Sequence, residues 1–173
     1  AGCGPTVGAH LIWYLSRTRM GYEGLCAFDA NTRQGMLKLM QASWGYITPT
    51  MHGVNKTSIL EQGIKKYARD RGKRVKARVL DIQIGEGKRP SMEEVSAFLV
   101  GAIGDDLPVA FLNLSNGKLN NLDNWHWVTL VGFDPRTRMA LMYDQGVHKE
   151  IDLALWLKST LLGGGFVAVE PGE

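Results

Sequence analysis

Cysteine is scarce in this chain. There are two, Cys3 and Cys26, too few for a disulfide framework, and no paired CxxC spacing suggests structural zinc. Long apolar runs are missing as well: the longest are about five to six residues, far short of the ~20 that a membrane-spanning helix needs. No stretch has the charged start and apolar centre of a signal peptide. Neither sign of charge dominates, since 20 Lys and Arg against 17 Asp and Glu leave +3. The basic residues gather at Lys65-Lys66 and from Arg69 to Arg78, alternating with apolar positions and without interleaved aromatics to stack bases. That stretch is expected to be a solvated helix end running into a strand, and no nucleic-acid partner is expected. What remains is 45% hydrophobic and 21% charged over 173 residues, the composition of one globular domain able to bury its own core.

The first half reads as helices. Pro5 suits a first helical turn, and Val7, Leu11, Ile12 and Leu15 recur at helical spacing, so a helix is expected from Pro5 to about Arg17. A second follows Asn31-Thr32 with Met36, Leu37, Leu39 and Met40, ends near Gly45 and is stopped by Pro49. Thr48 to Lys56 is a turn-rich loop. A third helix is expected to start at a Thr57/Ser58 cap, with Glu61 in a capping box, and to stop at Gly72. Val75, Ala77 and Val79 alternate with Lys76 and Arg78 as a half-buried strand, and Ser91 caps a fourth helix with Glu93 and Glu94 in its first turn.

After Pro108 the pattern changes to strands: Val109 to Leu114, His126 to Phe133, Met139 to Tyr143 and Phe166 to Val169. One helix, Asp152 to Thr160 with Asp152 as its cap, interrupts them, and Asp134 to Arg138 makes a hairpin turn. Helices first and strands second argue an α+β fold: a helical part at about 1–105 packed on a mostly antiparallel sheet at about 106–173.

The candidate chemistry begins at Gly2-Cys3-Gly4-Pro5-Thr6. In one reading Cys3 is a small buried hydrophobe at a crowded turn. In the other, the positive end of the helix dipole turns it into a thiolate that attacks carbonyl carbon. Thiolate catalysis needs a histidine within hydrogen-bond reach and a group to orient that histidine. His126, in Trp125-His126-Trp127-Val128-Thr129-Leu130, sits where a polar loop enters an apolar strand, with two indoles to shield it from water. Asp134 is eight residues further along that strand, ~26 Å away, and cannot touch it. Asp144, in Met142-Tyr143-Asp144, is better placed. If Phe133 pairs with Met139 across a five-residue connection, Val128 faces Asp144 and His126 is one diagonal step away on the same face. A two-residue turn would put Asp144 on the opposite face unless a bulge intervened.

Gly-Cys-Gly-Pro-Thr opening a helix, Trp-His-Trp-Val-Thr-Leu-Val-Gly-Phe-Asp entering a strand and Tyr-Asp on the next strand together resemble the papain-like cysteine peptidases, in particular the bacterial bacteriocin-processing type. The resemblance runs from Cys3 to the last strand. It implies a single papain-like domain over 1–173, with Cys3 as nucleophile, His126 as general base and acid, Asp144 orienting the histidine, and no metal or cofactor. The substrate would be a peptide or amide, cut through an acyl-enzyme on Cys3. An amine in place of water would make the chain an acyltransferase, and a silent papain-like domain would simply bind peptide. That family also places an oxyanion-binding glutamine several residues before the cysteine. Only Ala1 and Gly2 stand before Cys3 in this sequence, which leaves three alternatives: a segment upstream of Ala1 supplies that donor, backbone N–H groups such as that of Cys3 do, or the domain is not a competent peptidase.

Other polar residues have competing claims. Cys26, in Gly24-Leu25-Cys26-Ala27-Phe28, is expected to pack, and a disulfide with Cys3 would silence the nucleophile. His10 lies two helical turns from Cys3, ~10 Å and too far for direct contact. His148, four residues beyond Asp144 and expected on the same strand face, is the rival partner of that carboxylate. Zinc held by His126, Asp144 and His148 lacks any supporting motif. The polar loop from Leu114 through Asn121 either overhangs a cleft or is plain surface.

Overall fold

The computed structural model describes residues 3–26, 30–49, 53–144 and 146–172, with backbone alone at Glu86. Ala1-Gly2, Ala27-Phe28, residues 50–52 of the expected Thr48–Lys56 loop and Gln145 lie outside them. Among the described residues are five α-helices and six strands: α1 (Cys3–Thr18), α2 (Arg33–Trp44), α3 (Thr57–Asp70), β1 (Val75–Ile82), α4 (Met92–Gly104), β2 (Val109–Asn113), β3 (His126–Asp134), β4 (Met139–Asp144), β5 (Val147–Asp152), α5 (Leu153–Ser159) and β6 (Gly164–Pro171). No helix among them is long and apolar enough to cross a membrane.

The fold is α+β, and its strands form one antiparallel sheet in the order β1-β6-β2-β3-β4-β5. β1, from the expected helical part, joins this sheet and pairs along its whole length with β6, from Val75↔Pro171 to Ile82↔Gly164. The helices cover both faces of this sheet. Adjacent strand pairs show this, because Leu112↔Gly165 and Phe111↔Phe166 must point opposite ways. A Cβ on Gly165 would meet Thr57 of α3, whereas Phe166 lies against Phe98 of α4 and Phe111 against Trp156 of α5, at ring separations of 6.2 and 4.7 Å. α1 packs on the α3 side, touching β2, β3 and β6.

Capping residues set most helix starts. The Thr32 side chain accepts from the Gly35 N–H at 2.9 Å, Asp152 accepts from Leu155 at 3.0 Å, and Ser91 with Glu94 makes a capping box. α3 departs from expectation. Its N-cap is Lys56, without a side-chain cap, and Thr57 sits inside the first turn with its hydroxyl donating to the Asp81 carboxylate of β1. A charged acceptor on the adjoining strand outcompetes a local cap for a buried hydroxyl. Glu61 instead pairs with Lys65 one turn on, at 2.8 Å.

Two glycines let α1 sit close to the chain that crosses it. A Cβ on Gly8 would lie 2.2 Å from Ile47 Cδ1, and one on Gly4 would lie 2.6 Å from Val54 Cγ2. Either contact would push the N-terminal end of α1 away from its neighbours.

The β3–β4 connection corrects the expected register. Asp134, not Phe133, pairs with Met139, so the turn is Pro135 to Arg138. The Asp134 carbonyl accepts the Arg138 N–H at 2.7 Å, its carboxylate accepts the Arg136 N–H at 2.9 Å, and Arg138 closes the turn with φ 61°. That register runs to Gly132↔Leu141; beyond it Leu130 pairs with Met142 and Thr129 with Tyr143, leaving Val131 as one extra residue in β3. β5 was not expected as a strand. Its sequence, Val-His-Lys-Glu-Ile-Asp, carries no apolar alternation because it is an edge strand with only Ile151 fully buried.

Candidate active site

Three element ends converge here. Cys3 opens α1, His126 opens β3 and Asp144 closes β4. Past the bulge the last pair is Thr129↔Tyr143, a register that, carried one residue further, sets Val128 opposite Asp144, with the carboxylate one diagonal step from His126 on the same strand face. Their side chains meet, with His126 Nε2 2.9 Å from Asp144 Oδ2, and both are mostly buried at 13% and 18% side-chain exposure. With Nε2 on Asp144, Nδ1 is the ring nitrogen left for Cys3, and the thiol and imidazole lie close enough that each shifts the other's protonation.

The electrostatics of the pair follow from these contacts. Burial pushes the Cys3 thiol up. The hydrogen bond to His126, the Trp127 backbone N–H aimed at the sulfur and the imidazolium charge outweigh it, leaving the thiol below its ordinary value. The hydrogen bond to Cys3 lifts His126, burial opposes this, and Asp144 lifts it further, so the imidazole pKa rises to about 9. Each shift favours a thiolate facing an imidazolium near neutral pH. The dipole of α1 acts on the sulfur in the same sense.

The flanking indoles differ from each other. Trp127 is buried and its Nε1 donates to the Val54 carbonyl at 2.7 Å, which ties β3 to the segment packed on Gly4. Trp125, expected to shield the imidazole alongside it, is exposed at the rim with a left-handed backbone, φ 53°. The loop from Leu114 to Trp125 reaches the cleft with its last residues. Asn113 Nδ2 donates to the Asp123 carbonyl and Asn124 Oδ1 accepts from the Asn116 N–H, both at 2.6 Å. The cleft itself, about 700 Å³, is lined by Cys3, His126 and Asp144 together with Val7, His10 and Met40, among others.

The remaining candidates fall elsewhere. His148 lies on β5, opposite Tyr143 and not beyond Asp144 on one strand, because Asp144 pairs with Val147. Its side chain therefore points to the face opposite Asp144 and stacks edge-on to Tyr143 at 5.2 Å. It is no rival for the carboxylate, and among the described residues no group of three His, Cys, Asp or Glu is placed to hold a metal ion. His10 shares the cleft, with Nδ1 3.4 Å from Thr129 Oγ1, and burial holds its pKa down. Cys3 and Cys26 are not joined in a disulfide. Asp134 is the half-buried last residue of β3, at the far end of the strand from His126. Tyr143 and Met40 also line the cleft, although the sequence marked Tyr143 only as the neighbour of Asp144 and Met40 only as part of a helix's apolar face. No family model matches the chain, and a search of curated proteins finds no match.

Proposed function

We propose that this chain is a thiol-dependent hydrolase of the papain-like type, cutting a peptide or amide bond through an acyl-enzyme on Cys3. The observation that carries the proposal is the ordered contact of sulfur, imidazole and carboxylate at the mouth of a cleft. A silent peptide-binding domain has no use for a thiol held low beside an imidazole held high, which favours chemistry over simple binding.

The Cys3 thiolate adds to the substrate carbonyl carbon, and the C=O π electrons move to oxygen. The N–H groups of the first turn of α1, which have no carbonyl partner within the helix, are the donors for that oxyanion. The His126 imidazolium then gives its proton to the leaving nitrogen as the C–N bond breaks, and the acyl group stays on sulfur. In the second half, neutral His126 takes a proton from water, the hydroxide adds to the acyl carbon, and the C–S bond breaks to release the acid and restore the thiolate–imidazolium pair. Asp144 keeps Nε2 occupied throughout, so Nδ1 remains directed at the reacting atoms. With an amine replacing water the same groups perform acyl transfer, and the acyl-enzyme is common to both.

The test uses p-nitrophenyl acetate. The expected result is a burst of p-nitrophenolate and one acetyl group on the peptide containing Cys3, both absent in Cys3→Ala. Ester hydrolysis without acetyl-Cys3 in acid-quenched samples, at the same rate in Cys3→Ala, overturns the proposal.

A further inference from the structure

Trp125 is the most exposed of the five tryptophans, at 52%. Trp127 and Trp156 are buried with their Nε1 atoms bonded, and Trp13 packs against the core. The Trp125 indole does no such packing, and it lines the cleft that holds Cys3 and His126.

Its backbone makes this placement harder to dismiss. A φ of 53° lies in the left-handed region, which glycine or asparagine enters with little cost and a bulky aromatic residue does not. The two residues before it are pinned by the Asn113–Asp123 and Asn116–Asn124 hydrogen bonds, and the residue after it begins β3. The loop therefore has little freedom to relax the strain. A turn needing only this φ is best met by glycine, but here it presents an indole to solvent beside the nucleophile. Val7 and Met40 add apolar surface to the same cleft.

We infer that Trp125 is a specificity-determining residue whose indole receives a large aromatic or aliphatic side chain of the substrate, within a residue of the bond to be cut. The inference rests on the thiol-hydrolase reading of the cleft. Its partner chemistry is a neutral peptide or amide segment carrying such a side chain. A flat exposed indole offers area and edge-to-face contacts to a ring, and a glycyl segment gains neither.

The experiment is protection of Cys3 from iodoacetamide by N-acetylphenylalanine amide and by N-acetylglycine amide, with the alkylated cysteine identified by peptide mapping. Half-protection of the wild type is expected at a concentration about tenfold lower for the phenylalanine amide, the advantage that burying one aromatic ring supplies. Trp125→Gly, which meets the left-handed φ without strain, brings the two amides to within about twofold, and Trp125→Phe keeps most of the difference. Each protection curve is scaled to that variant's own unprotected labelling rate, so a change in the thiol itself does not enter the ratio. Equal protection by both amides in the wild type, or an undiminished phenylalanine advantage in Trp125→Gly, overturns the inference and leaves the thiol chemistry standing. Failure of iodoacetamide to label Cys3 at all overturns both.

Discussion

His126 Nε2 and Asp144 Oδ2 meet at 2.9 Å across a hairpin whose turn-side register alone would set them on opposite faces of the sheet. Continued unbroken from Asp134↔Met139, that register opposes Asp144 to Thr129. The extra residue Val131 moves the pairing by one and opposes Asp144 to Val128, on the face His126 uses.

Deleting Val131 is therefore expected to preserve the site. Gly132↔Leu141 and Leu130↔Met142 become consecutive pairs of a regular hairpin, and every pair closer to His126 is unchanged. The half-exposed Val131 side chain contributes little core, so the thermal midpoint falls by only a few degrees. Cys3 alkylation at pH 6 within about tenfold of wild type checks this. Loss of labelling in a folded deletion variant would show that the bulge orients the site by more than its register.

Removing the proton carrier and removing its orienting group have different consequences. His126→Ala is expected to lower turnover by about 10²–10⁴, the usual worth of a positioned acid–base group. Asp144→Asn keeps a hydrogen-bonding partner for Nε2 but loses the charge that helps lift the imidazole, so a measurable fraction of turnover survives. Steady-state rates of the two variants decide it. An Asp144→Asn enzyme as dead as His126→Ala contradicts the assigned roles.

His148→Ala is expected to leave turnover within about twofold, because parity in β5 turns that side chain away from Asp144. A large loss in this variant, with His126→Ala harmless, would move the site to the other face of the sheet.

How far the sequence could be followed is clearest at this hairpin. The strand of His126, the strand of Asp144 and the need for a particular register were all readable, because apolar strands and their turn are local features. The bulge was not, since Leu130-Val131-Gly132 offers no local mark of which residue will go unpaired. The caps at Thr32, Ser91 and Asp152 were readable because each acts on its own helix. Thr57 was misread because its partner, Asp81, arrives from a strand 24 residues away. β5 escaped because an edge strand exposed on both sides loses the alternation that marks strands. The candidate triad was legible residue by residue, whereas the left-handed Trp125 was not, because an aromatic residue before a strand gives no sign of its φ.

The imidazole titration follows the same contacts. The largest cause of the raised His126 value is the hydrogen bond to Cys3, so Cys3→Ser is expected to titrate well below the wild-type value of about 9, measured by NMR on the imidazole C2–H. In the wild type, acylation needs the protonated imidazole for the leaving group. Turnover therefore holds through neutrality and falls as pH rises through about 9, and its acid limb lies where the lowered Cys3 thiol regains its proton. A His126 that titrates identically in wild type and Cys3→Ser contradicts the pairing.

The most direct measurement is the rate of iodoacetamide alkylation at each cysteine across pH 5 to 10, resolved by peptide mapping. With the Cys3 thiol held below its ordinary value of 9.0 by His126 and Trp127, Cys3 is expected to label rapidly and to keep labelling below pH 7, well ahead of Cys26. His126→Ala should return Cys3 to the profile of an ordinary thiol. Equal labelling of Cys3 and Cys26, both rising only near the pH of a free thiol, would contradict the thiolate–imidazolium pair on which the proposed chemistry depends.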